Sequence, residues 1–355
     1  MPRIEDTELL VKIHAAGFCH SDLQVLNGQF NTKLPMIPSH EPAGTVVRVG
    51  AKCEGRWQVG DRVGVLNFKK SCSKCSGCNL AKREYGGLDP RFCDTREMAG
   101  FHHDGAFAEY MIADPETTVK LPASLSFEQA APLMCAGVSL NNVSLSSSIL
   151  SNFLFLQATV WGALEKATSG LRAGDPVAVI GIGGLGHLGV QFSKAMGFRT
   201  IAVDSRPEGR SLAISVHNPE LKPDLVVDSR SPDATTEIFD FTDGEGIVAA
   251  VVCTDSLPAN EWALTLLRIG GTLLLLGLPA EKWRFDASII VFRELTLRGS
   301  YVASRESTER MMSVVEKSQV GSHLTVVPFE EVSGIVDAYQ DKSFKGRLVV
   351  QIVKE

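Results

Sequence analysis

Nowhere in this 355-residue chain does an apolar run reach the roughly 20 residues a helix needs to cross a bilayer. The nearest approach, Ile149 to Leu156, is too short and sits in a stretch rich in serine and asparagine, so it is not read as a span. Basic blocks are missing too. The 35 Lys and Arg are outnumbered by 41 Asp and Glu, and the formal charge of −6 is spread along the chain. Neither nucleic acid nor an anionic membrane is therefore an expected partner; a small molecule is. Met1-Pro2-Arg3-Ile4-Glu5-Asp6 lacks the charged-then-apolar pattern of a leader, which makes a cytoplasmic location the expectation. No internal repeat is visible. A composition of 44% hydrophobic and 21% charged residues is that of a globular protein with room for roughly two domains.

The texture changes along the chain. Residues 1 to about 135 are rich in Gly, Pro and short β-like runs such as Glu8 to His14, Gly44 to Val49 and Arg62 to Leu66, which suggests a β-rich module. From about 158, apolar runs alternate with helical stretches: Pro176 to Ile180, Thr200 to Val203, Leu225 to Val227, Ile247 to Val252 and Thr272 to Leu276. That alternation predicts a parallel sheet covered on both faces. After about Gly299 mixed polarity returns, ending in the run Arg347 to Val353.

Two patterns carry chemistry. Strand 176–180 runs into Gly181-Ile182-Gly183-Gly184-Leu185-Gly186 and then a helical pattern, and a second strand ends in Asp204. Glycines let the backbone approach a pyrophosphate, the helix N-terminus offers it N–H groups, and the acid holds the adenosine ribose. Asp204 repels a 2′-phosphate and favours NAD over NADP, whereas Arg206, two positions on, could accommodate that phosphate. The bland alternative is a glycine-rich turn with no ligand. The second pattern is four of the eight cysteines in one segment. Cys72-x2-Cys75-x2-Cys78 supplies three thiolates, and Cys93 can close a tetrahedral, four-cysteine zinc site of the structural kind. Disulfides and buried small hydrophobes are the competing readings. Gly17-Phe18-Cys19-His20-Ser21-Asp22 and His40-Glu41-Pro42-Ala43-Gly44 are weaker signals, informative only when read with the first two.

Together with GDRVG at 60–64, HDGAFAEY at 103–110, LMCAG at 133–137, TVWGAL at 159–164 and the closing Gly346-Arg347, these segments resemble the zinc-containing alcohol dehydrogenases of the medium-chain family, most nearly the yeast and fungal type. The resemblance runs over nearly the whole chain. It implies an α/β architecture: a GroES-like, β-rich catalytic domain from 1–137 and 299–355, with a structural-zinc loop at 71–94, and a doubly wound Rossmann domain at 158–298. It implies two zinc per chain and NAD. Cys19, His40 and Cys135 become the ligands of the catalytic zinc, with Asp22 orienting His40 and Glu41 beside the metal. Ser21 matches the proton-relay hydroxyl, Thr159 lies beside the nicotinamide, Arg210 near the adenosine ribose, and Arg347 at the cofactor pyrophosphate. The implied activity is reversible hydride transfer between an alcohol and NAD by a homodimer or homotetramer. Relatives often end the proton relay on a histidine three residues after the serine, where this chain has Gln24; Phe30 and Asn67 replace tryptophans that narrow the channel of ethanol-specialised relatives, implying larger substrates. Two other classes stay open: a reductase of the same superfamily, and a catalytically impaired nucleotide- and zinc-binding homologue.

Two departures from the family motivate the last of these. Family members carry roughly two dozen more residues before the segment matching Asp6 to Leu10, so unpaired edges and lowered stability are expected. And Val138 to Gln157, rich in serine and asparagine, separates Cys135 from Thr159, which in the family stand on one continuous stretch. Structureless connections longer than roughly 12–15 residues are uncommon inside domains. The segment reads as an insertion, either a translated in-frame intron, whose ends can be written with splice-site codons, or a surface loop.

Overall fold

The computed structural model describes residues 1–135, 157–277, 279, 281–341 and 344–353. It divides into two compact units, one of Met1–Asn141, Ala303–Ser313 and Leu324–Glu355, the other of Asn142–Val302 and Val314–His323. The insertion expected at 138–157 lies outside the described residues apart from Gln157, which opens the helix Gln157–Ala167.

The first unit is organised by the strand Leu9–Phe18, in which eight of ten residues are buried. It is buried because it is central: Pro42–Val49 pairs antiparallel on one side, and Arg347–Gln351 and Tyr110–Ala113 share the other. The sheet is seven-stranded among the described residues, running outward from Arg347–Gln351 to Leu324–Pro328 and from Pro42–Val49 through Arg62–Val65 to Thr118–Lys120. Leu9, Val11, Ile13, Phe18, Val63 and Leu348 are fully buried in its core, each contributing about 1.5–3 kcal/mol relative to exposure. Consequently the C-terminal end of the central strand, where Cys19 follows Phe18, is rigidly placed.

The second unit carries a six-stranded parallel sheet in the order Leu225–Val227, Arg199–Val203, Pro176–Ile180, Ile247–Val252, Leu267–Leu275, Thr296–Gly299. Numbered in chain order that is 3-2-1-4-5-6, the doubly wound arrangement. All six residues of Ile247–Val252 are buried, as a strand covered on both faces requires. The order reverses between Pro176–Ile180 and Ile247–Val252, which sets a crevice at their carboxyl ends, and the glycine turn leaves Ile180 at that point.

Candidate metal centres and dinucleotide site

Cys19 caps the helix His20–Leu26 through its own sulfur, which accepts the N–H of Ser21 at 3.2 Å. In return the Asp22 carboxylate accepts the N–H of Cys19 at 3.0 Å. This capping box fixes both side chains. The other Asp22 oxygen lies 3.1 Å from His40 Nδ1 and accepts the Ser39 N–H at 3.1 Å, so it orients the imidazole. His40 Nε2 then stands 3.3 Å from Cys19 Sγ and 3.2 Å from Cys135 Sγ. Cys135 arrives from the end of the helix Phe127–Leu133; the preceding Met134 packs its sulfur where a Cβ on Gly64 would come within 2.1 Å. A Cβ at 64 would force the Met134 thioether to shift.

These three side chains are fully buried, and with Glu41 their ligand atoms all lie within 4.8 Å of one another. Bond lengths of about 2.3 Å for Zn–S and about 2.0–2.1 Å for Zn–N in a tetrahedral site imply N···S separations of about 3.5 Å, so the donor set fits zinc with a small adjustment. Burial opposes ionisation of Cys19, but the Cys135 thiol and the His40 imidazole beside it hold its pKa well below the ordinary thiol value. Burial likewise opposes charge on His40, and Asp22 and Cys19 together raise its pKa well above the usual value. Burial and the neighbouring Cys19 sulfur hold the Cys135 thiol well above the ordinary value, so the cluster favours one thiolate, at Cys19, opposite the His40 charge, and metal binding there would release protons from His40 and Cys135.

Glu41 is held in an ion pair. Both its oxygens accept from Arg347 Nη2, at 2.5 and 2.6 Å, and both residues are buried. Burial pushes the Glu41 carboxyl up to about 7 against the pull of that guanidinium. A Cβ on Gly17 would come within 1.8 Å of Glu41 Oε2, so Gly17 is what lets the carboxylate lie there. Sequence reasoning placed Glu41 and Arg347 separately and missed their pairing; no local signal links residues 306 positions apart. Arg347, expected at the cofactor pyrophosphate, belongs to the first unit and the glycine turn to the second.

Around this cluster, Ser21 Oγ and both amide atoms of Gln24 are buried with no hydrogen-bond partner among the described residues. Three positions apart on one helix, they share a face. Phe30 packs edge-on against Phe101 at 5.2 Å, and the Phe101 ring lies 5.3 Å from that of His40. Asn67 is buried, 2% exposed.

Cys72, Cys75, Cys78 and Cys93 also converge, with their sulfurs within 4.8 Å of one another. Here the backbone does the work. Cys72 N donates to Cys93 Sγ at 3.2 Å, Cys75 N to Cys72 Sγ at 3.4 Å and Cys78 N to Cys75 Sγ at 3.4 Å. Gly77, where a Cβ would come within 1.8 Å of the Phe92 carbonyl oxygen, lets the helix Ser76–Tyr85 start against the segment that delivers Cys93. The N–H groups of Lys74 and Cys75 lower the Cys72 pKa to about 6, while burial raises that of Cys78 to about 12.

In the second unit the glycines divide the expected labour. Gly181 has a φ of +93°, Gly183 has only the Arg206 guanidinium near where a Cβ would be, and a Cβ on Gly186 would meet the Gly181 carbonyl at 2.1 Å. The helix Gly186–Ala195 that follows has no side-chain cap at its N-terminus; the His187 and Leu188 N–H groups turn back to the Gly183 and Leu185 carbonyls. Gly184 and Leu185 complete the turn. Asp204 follows Arg199–Val203 and is 5% exposed; Arg210 donates to its carbonyl at 3.1 Å and pairs with Asp228 at 3.0 Å. Thr159 is buried on Gln157–Ala167, its hydroxyl without a partner among the described residues.

No helix among the described residues is long and apolar enough to cross a membrane. The family profile of the alcohol dehydrogenase GroES-like domain matches residues 5–123, and that of the zinc-binding dehydrogenases matches 184–317. An alcohol dehydrogenase of Rhizobium meliloti is 33% identical over 354 residues, covering 99% of this chain and 93% of that protein. One from Geobacillus stearothermophilus is 34% identical over 353 residues, covering 99% and 94%. The crystal structure of the alcohol dehydrogenase of Aeropyrum pernix superposes with a TM-score of 0.78 at 28% identity, covering 99% of this chain and 94% of that one. The chain therefore belongs to the zinc-binding alcohol dehydrogenase family of medium-chain oxidoreductases.

Proposed function

We propose that the chain is a zinc-dependent dehydrogenase that transfers hydride between an alcohol and NAD, yielding an aldehyde or ketone reversibly. The observation that carries this reading is the fully buried set of Cys19, His40 and Cys135, whose mutual distances suit three corners of a zinc tetrahedron. Zinc bound by these three residues would supply Lewis-acid polarisation of the substrate oxygen. Asp22 keeps His40 Nε2 turned toward the thiolates by taking Nδ1–H. Arg347 anchors Glu41 beside the cluster through both carboxylate oxygens. Ser21, its hydroxyl buried and uncommitted, accepts the proton the alcohol loses while passing its own hydroxyl proton outward to solvent water. Gln24 cannot titrate and does not extend that relay through its own protonation. Cys72, Cys75, Cys78 and Cys93 hold a second, structural zinc, for two per chain.

The cofactor reading rests on Gly181, Gly183, Gly184, Leu185 and Gly186 for the pyrophosphate, Asp204 and Arg210 for the adenosine ribose, and Thr159 for the nicotinamide end. Phe30 and Asn67, in place of bulkier tryptophans, favour substrates larger than ethanol. The yeast and fungal subtype rests on the sequence motifs alone, since the relatives above are bacterial and archaeal. A cytoplasmic homodimer or homotetramer completes the proposal.

An NAD(H)-coupled screen of alcohols and aldehydes tests it, run on the full chain and on a variant lacking 138–157. Turnover is expected to need zinc and to be fastest in kcat/KM with a bulky primary alcohol. Displacing a reacting group by about 1 Å can cost roughly 100-fold, so the deletion is expected to raise activity at least tenfold. A zinc-free protein reducing only quinones or enones would sink the proposal. Equal rates for chain and deletion variant would make the segment part of the function.

A further inference from the structure

Asp204 has no acceptor position left for a ribose. A carboxylate offers about four lone-pair sites, and four donors take them. Oδ2 accepts the Ile182 N–H at 2.7 Å and Arg206 Nη2 at 3.1 Å. Oδ1 accepts the Arg206 N–H at 2.8 Å and Arg206 Nε at 3.2 Å. Two of these bonds are backbone and stay. The other two belong to the Arg206 side chain, which is 59% exposed although the acid beneath it is nearly buried. The backbone of Arg206 is pinned by its own N–H and by Pro207 at the first position of the helix Pro207–Ile214, so only the guanidinium can move.

We propose that Arg206 is the residue that sets cofactor choice, and that it makes the site accept the 2′-phosphate of NADP(H) as well as the ribose diol of NAD(H). The inference rests on reading the turn at 181–186 and Asp204 as a dinucleotide site. A ribose diol reaches the Asp204 oxygens only by displacing Nε and Nη2, so NAD(H) is bound against competition from within the chain. The displaced guanidinium is left at the rim, beside the 2′ position. With NADP(H) it gains a dianion that matches its planar fork of donors, and it stands between that phosphate and the Asp204 charge that would otherwise repel it. Arg210, held by Asp228 and by the Asp204 carbonyl, is fixed on the same wall and adds positive charge.

Equilibrium titrations of the full chain with NADH and with NADPH, followed by quenching of tryptophan fluorescence, test this without reference to turnover. NADPH is expected to bind within about tenfold of NADH in Kd. In Arg206→Ala, and in Arg206→Gln, which keeps a polar side chain but not the charge, NADPH is expected to weaken roughly 10- to 100-fold, the range for a lost charge-assisted contact. NADH affinity is expected to stay equal or improve. Retained NADH binding reports that each variant is folded. If wild-type NADPH binding is more than tenfold weaker than NADH binding, or if the variants weaken both nucleotides alike, the inference falls and the dinucleotide site stands. Binding of neither nucleotide to the wild-type chain overturns both.

Discussion

The two cysteine-containing clusters of the first unit reach similar geometry from opposite directions. Cys72, Cys75 and Cys78 fall within seven residues, and their sulfurs are positioned by N–H groups of the same loop, with Cys72 and Cys75 part-exposed. Cys19, His40 and Cys135 come from a strand end, a loop and a helix end up to 116 residues apart, and are fully buried. On the proposed reading, zinc in the local cluster holds the loop together, whereas the dispersed cluster is held by the sheet and its zinc serves the chemistry.

That contrast should break cleanly under substitution. Cys135→Ser is expected to lower turnover by on the order of 1000-fold or more, because Lewis-acid stabilisation is worth several kcal/mol at about 1.36 kcal/mol per factor of ten. Its unfolding midpoint should move little. Cys93→Ser should do the reverse: turnover per folded molecule within about tenfold of wild type, and a midpoint lowered on the order of 10 °C, since structural zinc affinity is folding free energy. Loss of activity and stability together in both variants would erase the distinction.

A smaller effect separates the glycines that support each cluster. A Cβ at Gly17 meets the Glu41 carboxylate, and one at Gly77 meets the Phe92 backbone carbonyl, each at 1.8 Å. Overpacking costs about 1–3 kcal/mol. Gly17→Ala, which disturbs the Glu41–Arg347 pair, should therefore lower kcat with a modest midpoint shift; Gly77→Ala should lower the midpoint with kcat nearly unchanged. Thermal unfolding and steady-state assays on the two variants decide.

The smallest expected effect is in the pH profile. Gln24 has no proton to exchange, so it should add no step to log kcat for alcohol oxidation near about 6.5, the reference histidine value, and any step from the Glu41 carboxyl, at about 7, should survive Gln24→Ala. Gln24→His should introduce one, the rate rising with pH as the imidazole loses its proton and becomes able to accept another. A wild-type step near that pH that disappears in Gln24→Ala would contradict the relay as drawn.

How much of this was legible in the sequence follows the same division. The cysteine loop and the glycine turn are local, so their spacing alone suggests a chemistry. Runs such as Pro176–Ile180 and Ile247–Val252 appear as strands over the very residues that read as apolar runs, because strands buried on both faces have no polar interruptions. The grouping of Cys19, His40 and Cys135 came only through family resemblance. What neither route supplied is long-range packing: Glu41 against Arg347, Met134 over Gly64, and the Arg206 side chain folded back onto Asp204. Those contacts depend on which elements the sheets bring together, and no periodicity in the chain records them.

The most direct measurement of the central claim is the zinc content of the purified wild-type chain, set beside that of Cys135→Ser and Cys93→Ser. The account expects about two zinc per chain, falling to about one in each variant, with turnover lost only in the first. A wild-type chain carrying no zinc, or a single zinc lost equally in both variants, would contradict it.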